Sequence, residues 1–348
     1  MTKQKATTKP KPISLAPQGG GSHGALTWGV LERLSEANEI DIKAITATSA
    51  GAMNAVAFAA GMAKGGAKGA RESLEGFWRE VSTRSAPFAA IRGPNVPAPL
   101  KALSPWTPFN MLSMLSSFAS PYDLNPFDYN PLKDALAKAI DYDAVRASGI
   151  TLHLAATNVE SGRARVFTGD EVNLETTLAS ACLPQTFKAV EIDGEAYWDG
   201  GYMGNPSLFP LIYSDAPHDI LLVMLNPFRR AGIPKTAGAI QDRLNEINFN
   251  SSLIGELRAI GFVQKLLDDN MLVEDKRGNY RQLYLHTISG GGAICEYGLE
   301  TKYDTRWPFL LELRERGRAL ANEWLNVCGP KVGRESSVDI ASEFLIDH

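Results

Sequence analysis

Cysteine, long apolar runs and surplus positive charge are all scarce in this sequence. The three cysteines, Cys182, Cys295 and Cys328, lie far apart and show neither metal-ligand spacing nor an even disulfide framework. We therefore expect a reducing compartment, namely the cytoplasm. No apolar run approaches the roughly 18 residues of a membrane span, so we expect no such span. The formal net charge of −4 argues against nucleic acid as a partner.

The rest of the composition is that of an ordinary globular chain, with 348 residues of which 44% are hydrophobic and 21% charged. Residues 1–12 are polar, contain four lysines and have no apolar core. They predict a disordered basic tail and not a secretory signal. Residues 13–328 are long enough for one large domain, and residues 329–348 predict a C-terminal tail that is only partly ordered.

A strand, a sharp turn and a helix are predicted in succession from Ile45 to Ala57. Ser49 stands at the turn and is flanked by the small residues Ala47, Ala50 and Gly51. Such a nucleophile elbow exposes a serine hydroxyl at a helix N-terminus, and the usual pattern is G-x-S-x-G. The alternative is a plain strand-to-helix connection capped by a serine. The helix is predicted to end at Gly61.

A second stretch, Ile13–Gly24, predicts a short strand that runs into a glycine-rich turn and then a helix. Consecutive glycines at a helix N-terminus leave several N–H groups directed at one point, which suits an anion. A transient anion would make the turn an oxyanion hole. A tight turn and a dinucleotide loop with the spacing Gly19-x-Gly21-x-x-Gly24 are the alternatives.

The literal G-x-S-x-G match lies at Gly20–Gly24, with Ser22 at its centre. It would indicate an α/β-hydrolase in which Ser22 is the nucleophile and a histidine such as His286 or His218 is the base. We disfavour this interpretation because the elbow of that fold normally follows several strands, whereas Ser22 follows one. His153 and His286 are predicted inside strands, and His218 just before one.

The third stretch, Glu191–Gly201, predicts a hairpin whose tight turn is Asp193-Gly194. Asp199 leaves the second strand immediately before two glycines. Paired glycines allow close backbone approach, so this carboxylate can reach a serine at a neighbouring strand end. An ordinary Asp-Gly turn is the alternative.

Together the three stretches resemble the patatin-like phospholipase family, over roughly residues 13–225. The resemblance implies that Ser49 is the nucleophile, that Asp199 is its base without any histidine, and that the oxyanion hole is formed by Gly19, Gly20, Gly21 and Gly24. It includes the segment Leu178–Pro184 and the Asn205-Pro206 pair. Ala47 replaces the first glycine of the elbow, and His23 stands where the family often has arginine.

Strands and helices alternate along the chain, which predicts an α/β fold with a mostly parallel central sheet flanked by helices. Ile220–Leu225 is a continuous apolar run of the kind found in buried parallel strands. Residues 229–269 are predicted as a helical insertion or cap. Residues 87–131 are rich in proline, aromatics and methionine and predict a lid, in which Trp106 and Phe109 would line an acyl site. The alternative is a loop packed on the core.

The predicted function is that of a serine lipid acyl hydrolase, an esterase or phospholipase A, that works through a Ser-Asp dyad and an acyl-enzyme. The expected partners are a lipid or ester substrate and, transiently, a membrane surface. No cofactor or metal is expected. The α/β-hydrolase centred on Ser22 and a non-catalytic lipid- or nucleotide-binding protein are the alternatives.

Overall fold

The computed structural model describes residues 9–92, 120–230, 232–272, 280–290, 294, 297 and 299–345. The predicted acyl-site residues Trp106 and Phe109, most of the predicted lid and residues 1–8 of the tail lie outside this part of the chain. No helix among the described residues is long and apolar enough to cross a membrane.

The described residues form eight strands and nine α-helices. The strands are β1 (Lys11–Pro17), β2 (Ile40–Ala47), β3 (Thr151–Asn158), β4 (Ala164–Thr168), β5 (Val190–Ile192), β6 (Glu195–Asp199), β7 (Asp219–Met224) and β8 (Tyr284–Ser289). The helices are α1 (Gly24–Ser35), α2 (Ala50–Arg92), α3 (Pro121–Leu124), α4 (Pro131–Ala139), α5 (Tyr142–Ala147), α6 (Leu174–Ala179), α7 (Phe209–Ile212), α8 (Ala237–Asp268) and α9 (Trp307–Val327).

All eight strands belong to one sheet, ordered β5-β6-β3-β2-β1-β7-β8, with β4 also paired to β3. The five strands β3, β2, β1, β7 and β8 run parallel, and the pairs β3-β4, β3-β6 and β5-β6 are antiparallel. The predicted α/β fold with a mostly parallel sheet is therefore confirmed.

Alternation of side chains along the central strands divides the core into two layers. Ile13 and Leu15 of β1 pack among residues of α1, α2 and α9, whereas Ala16 packs on the opposite face with Leu253 and Leu257 of α8. Helices therefore cover both faces, as predicted. The segment predicted as a loose C-terminal tail contributes the buried side chains Val332, Ile340 and Phe344.

The prediction that the helix after Ser49 ends at Gly61 is wrong. Helix α2 continues to a kink at Gly65 and Gly66, where the backbone leaves helical geometry and Gly66 has a φ of 57°. Gly61 instead allows close contact between the two arms of the kinked helix, because a Cβ there would lie 2.4 Å from the carbonyl oxygen of Gly69.

Strand β3 brings two distant parts of the chain together. It pairs with β2 through Thr151–Leu154 and with β6 through Ala156–Asn158, while β4 pairs along His153–Thr157. Since one edge of a strand pairs with one neighbour at a time, β2 and β6 share the same edge of β3, end to end. Asp199, the last residue of β6, therefore lies just beyond the end of β2.

Candidate active site

Ser49 lies between the end of β2 and the start of α2, with a left-handed φ of 55°. Its backbone N–H donates to the carbonyl oxygen of Ser180 at 3.1 Å and to the Ser180 hydroxyl at 3.0 Å. Left-handed geometry is uncommon for a residue with a side chain and clusters at functional sites. The prediction of a sharp turn at Ser49 is confirmed.

The small residues around the turn are required by close contacts. A Cβ at Gly51 would lie 2.5 Å from the carbonyl oxygen of Pro17, and a Cβ at Gly19 would lie 2.6 Å from the Cβ of Ser49. Neither distance is compatible with a side chain. The end of β1 and the glycine turn that follows it therefore lie directly against Ser49.

The Asp199 carboxylate is buried beside Ser49. Its Oδ1 accepts a hydrogen bond from the Gly201 N–H at 2.7 Å, and its own N–H donates to the Cys182 carbonyl oxygen at 2.8 Å. Burial raises the pKa of Asp199 to about 6, against the lowering effect of hydrogen bonds from the Gly201 amide and the Ser49 hydroxyl. A Cβ at Gly200 would lie 2.1 Å from the Ala155 carbonyl oxygen, so the strand end requires glycine there.

The glycine turn offers fewer free donors than its sequence predicted. The Gly19 N–H donates to the Asn205 side-chain oxygen at 2.6 Å, and the Gly24 N–H donates to the carbonyl oxygens of Gly21 and Ser22. The predictions that Gly19 and Gly24 donate to an oxyanion are wrong, because both amides already donate to acceptors within the protein. Gly24 instead makes room for α2, since a Cβ there would lie 2.7 Å from that of Ala50.

The backbone amides of Gly20 and Gly21 remain as candidate donors to an oxyanion. Neither N–H donates to another group among the described residues. Gly21 has a φ of 59°, and a Cβ on it would lie 2.4 Å from the Lys302 carbonyl oxygen. Gly20 has a φ of 178°, which any residue can adopt, so its conformation does not itself require glycine.

A buried network of amide side chains holds the glycine turn, and the sequence analysis missed it. Gln18 accepts from the N–H groups of Leu225 and Asn226 at 2.8 and 2.9 Å, and it donates to the Asn205 carbonyl and the Asn250 side chain. Asn226 donates to the Gly19 carbonyl at 3.0 Å. One signal in the sequence could have indicated these residues. Gln18 and Asn226 follow closely after the parallel strands β1 and β7, and ligand sites lie at the carboxyl ends of parallel strands.

Ser22 and the histidines do not form a second catalytic constellation. Ser22 lies in the short 3-10 turn Gly21–His23 and is buried. His286 pairs with Asp219 at 3.0 Å, and Asp219 is the first residue of β7, at the end of the sheet opposite to Ser49. His218 precedes Asp219. The interpretation as an α/β-hydrolase with Ser22 and one of these histidines is therefore wrong.

His23 is buried beside the glycine turn and is uncharged. Its Nε2 lies 2.8 Å from the Thr301 hydroxyl, and its ring packs near Tyr297 and Phe309. Burial, together with the charges of Lys302 and Arg230, lowers the pKa of His23 to about 3. The residue at the position where the family often has arginine is therefore neutral.

Sequence comparison matches this part of the chain to one family. The model of patatin-like phospholipases matches residues 15–212, which is more than half of the chain. The chain belongs to the patatin-like phospholipase family. The match covers the glycine turn, the turn at Ser49 and the hairpin that ends at Asp199. Family membership implies a lipid acyl hydrolase.

Two solved structures are similar to this patatin-like chain. VipD from Legionella pneumophila is 16% identical with a TM-score of 0.36, and the match covers 88% of this chain and 67% of VipD. The second is in the complex of full-length SpcU with full-length ExoU from the type III secretion system of Pseudomonas aeruginosa. It is 14% identical with a TM-score of 0.32, and the match covers 92% of this chain and 54% of that chain. No curated protein sequence matches.

Proposed function

We propose that this patatin-like protein hydrolyses carboxylic esters of lipids through Ser49 and Asp199. The observation that carries the proposal is the position of the Ser49 hydroxyl beside the buried Asp199 carboxylate, close enough to lower the pKa of Asp199 against the effect of burial. A serine hydroxyl is a weak nucleophile until an adjacent base takes its proton. The left-handed turn holds Ser49 at the end of β2, and Asp199 ends β6, which lies end to end with β2 along the same edge of β3.

The chemistry follows from these roles. Asp199 takes the proton of the Ser49 hydroxyl while the oxygen attacks the ester carbonyl carbon. The tetrahedral intermediate collapses to an acyl-enzyme, and the departing alkoxide receives the proton from Asp199. A water molecule, deprotonated by Asp199, then attacks the acyl-enzyme, which releases the fatty acid and restores the Ser49 hydroxyl.

A pKa of about 6 suits Asp199 to this work. An ordinary aspartate near 4 is a poor acceptor for an alcohol proton, and a stronger base is more effective provided that it is ionised at the working pH. With a pKa of about 6, roughly nine-tenths of the carboxylate is ionised at pH 7. Burial thereby supplies the basicity that a histidine gives to the catalytic triad.

The oxyanion of the tetrahedral intermediate forms next to the glycine turn, and we propose the N–H groups of Gly20 and Gly21 as its donors. The closeness of Gly19 to Ser49 supports this assignment, because the two following amides belong to the same turn. One such donor contributes about 10²–10³ in kcat in serine hydrolases.

Serine-directed labelling tests the proposal. Ser49→Ala removes both hydrolysis of p-nitrophenyl butyrate and labelling by a fluorophosphonate, whereas Ser22→Ala, the matched control, retains labelling. Labelling lost in Ser22→Ala and kept in Ser49→Ala contradicts the assignment of the nucleophile. A wild-type protein that neither hydrolyses esters of any chain length nor reacts with the probe favours the non-catalytic lipid- or nucleotide-binding alternative.

We also propose that α8 meets an anionic lipid surface. Its residues Ile240, Leu244 and Ile247 are spaced to share a face, and each is 45–48% exposed. Exposed Lys235 and Arg229 lie just before the helix. Apolar residues beside basic ones are typical of helices that lie in the membrane interface.

The measurement is hydrolysis of vesicle lipid against hydrolysis of a soluble ester. Leu244→Asp lowers hydrolysis of lipid in anionic vesicles severalfold and leaves the soluble ester unaffected. The control is Val327→Asp, which changes an exposed apolar residue at the end of α9, away from this face of α8. Equal rates on vesicles for wild type and Leu244→Asp contradict the assignment of this face.

A further inference from the structure

The turn Leu299–Tyr303 lies against the glycine turn although it is far away in the sequence. The Lys302 carbonyl oxygen occupies the space where a side chain at Gly21 would begin, and Thr301 contacts His23. This segment lies outside the region that the family model matches. The glycine turn is therefore supported by a part of the chain that family membership does not explain.

Lys302 also reaches the glycine turn through a side chain. Its Nζ donates to the Asn226 Oδ1 at 2.6 Å, and the Asn226 Nδ2 donates to the Gly19 carbonyl at 3.0 Å. The same Nδ2 lies 3.4 Å from the Gln18 Oε1. Asn226 is buried, so its two ends meet only these protein partners and not bulk water.

Charge and donor chemistry fix which way the Asn226 amide points. An ammonium group has hydrogen-bond donors and no acceptor, so Lys302 can donate only to the oxygen of the Asn226 amide and not to its nitrogen. The nitrogen end must then face the Gly19 carbonyl, where a donor is needed. If the amide rotated by half a turn, its oxygen would face the oxygens of Gly19 and Gln18, with no donor between them.

We propose that Lys302 is a positioning residue for the oxyanion hole, which acts by holding the Asn226 amide in the orientation that anchors Gly19. The carbonyl of Gly19 and the N–H of Gly20 belong to one peptide plane, so anchoring the carbonyl sets the direction of that N–H. Lys302 touches neither Ser49 nor Asp199 in this role. The inference rests on the proposed hydrolase function for its effect on turnover but not for its effect on the turn.

Variants break the link from its two ends. Lys302→Met removes the donor to Asn226 at similar length. Asn226→Asp keeps the size and the contact with Lys302 but loses the 3.0 Å donor to the Gly19 carbonyl, which leaves it only the longer 3.4 Å bond from the Asn205 amide. The control is Lys265→Met, an exposed lysine on α8 whose carboxylate partner lies 3.9 Å away. Thermal melting confirms that each variant is folded. If one of the two test variants does not fold, the other is enough to test the proposal.

Two measurements are made on each variant. For p-nitrophenyl butyrate, Lys302→Met and Asn226→Asp each lower kcat about tenfold, less than the full loss of a donor, with KM within twofold. Hydrogen exchange of a peptide that covers residues 15–24 becomes faster in both variants. Lys265→Met matches the wild type in both measurements.

The proposal is overturned if Lys302→Met keeps wild-type kcat, or if exchange in residues 15–24 is unchanged. A wild-type protein that does not hydrolyse esters contradicts the proposed function. Hydrogen exchange alone then decides whether Lys302 orders the glycine turn.

Discussion

Asp199→Asn is expected to stabilise the protein while it abolishes catalysis. The unfolded chain releases the Asp199 proton near pH 4, whereas burial delays that release to about pH 6 in the folded protein. Stability therefore falls as pH rises between these values and stays lower above them. The difference of about two pKa units corresponds to about 3 kcal/mol of unfolding free energy. Asparagine carries no charge and keeps an oxygen for the Gly201 N–H.

The assay is thermal melting of both proteins at pH 8 and at pH 4. For 348 residues, about 3 kcal/mol corresponds to a rise in Tm of about 4 °C for Asp199→Asn at pH 8. At pH 4 the difference in Tm falls below about 1 °C, because Asp199 is protonated in the folded protein and about half protonated in the unfolded chain. Asp193→Asn is the control, since this exposed turn residue has a left-handed φ of 52° that asparagine tolerates. A Tm difference that is independent of pH, or a loss of stability at pH 8, refutes the reasoning.

Further expectations concern turnover. The kcat/KM of a soluble ester falls about tenfold per unit below about pH 6, and a flat profile down to pH 5 excludes Asp199 as the base. Gly21→Ala lowers kcat about 10²-fold, unlike Gly169→Ala, which has a similar positive φ but open space around it. Trp106→Ala or Phe109→Ala impairs palmitate esters more than butyrate esters, since less apolar area is buried; equal effects favour a packed loop. Replacing each of His153, His218, His286 and His348 by glutamine keeps kcat within about tenfold. A 10³-fold drop in any one of these variants, with Asp199→Asn still active, contradicts the dyad.

The parts of the site that the sequence predicted are those with local signals. The turn at Ser49 follows a strand pattern and precedes a helix pattern. Asp199 ends the second strand of a hairpin whose turn, Asp193-Gly194, can be recognised in the sequence. Both features depend on residues within about ten positions of each other, which is the range over which periodicity and turn preferences act.

The support of the glycine turn could not be predicted in the same way. Gln18 meets partners 187 and 232 positions away, and Lys302 meets Asn226 across 76 positions. Such contacts leave no periodic trace in a single sequence. The role of Gly24 was misjudged for a related reason, because a glycine run shows that N–H groups are available without showing which of them the turn itself uses.

The shared edge of β3 sets the distance between the two groups that we propose to react, Ser49 and Asp199. Ala47, at the end of β2, pairs with Leu154 of β3, and Asp199 pairs with Ala156 of the same strand. The separation of Ala47 and Asp199 is therefore set by backbone spacing and not by flexible side chains. A one-residue slip in a strand moves a side chain by about 3.3 Å and turns it to the opposite face. The length of this stretch of β3 is therefore constrained. One inserted residue would carry Asp199 away from Ser49 even if every side chain of the proposed site were intact.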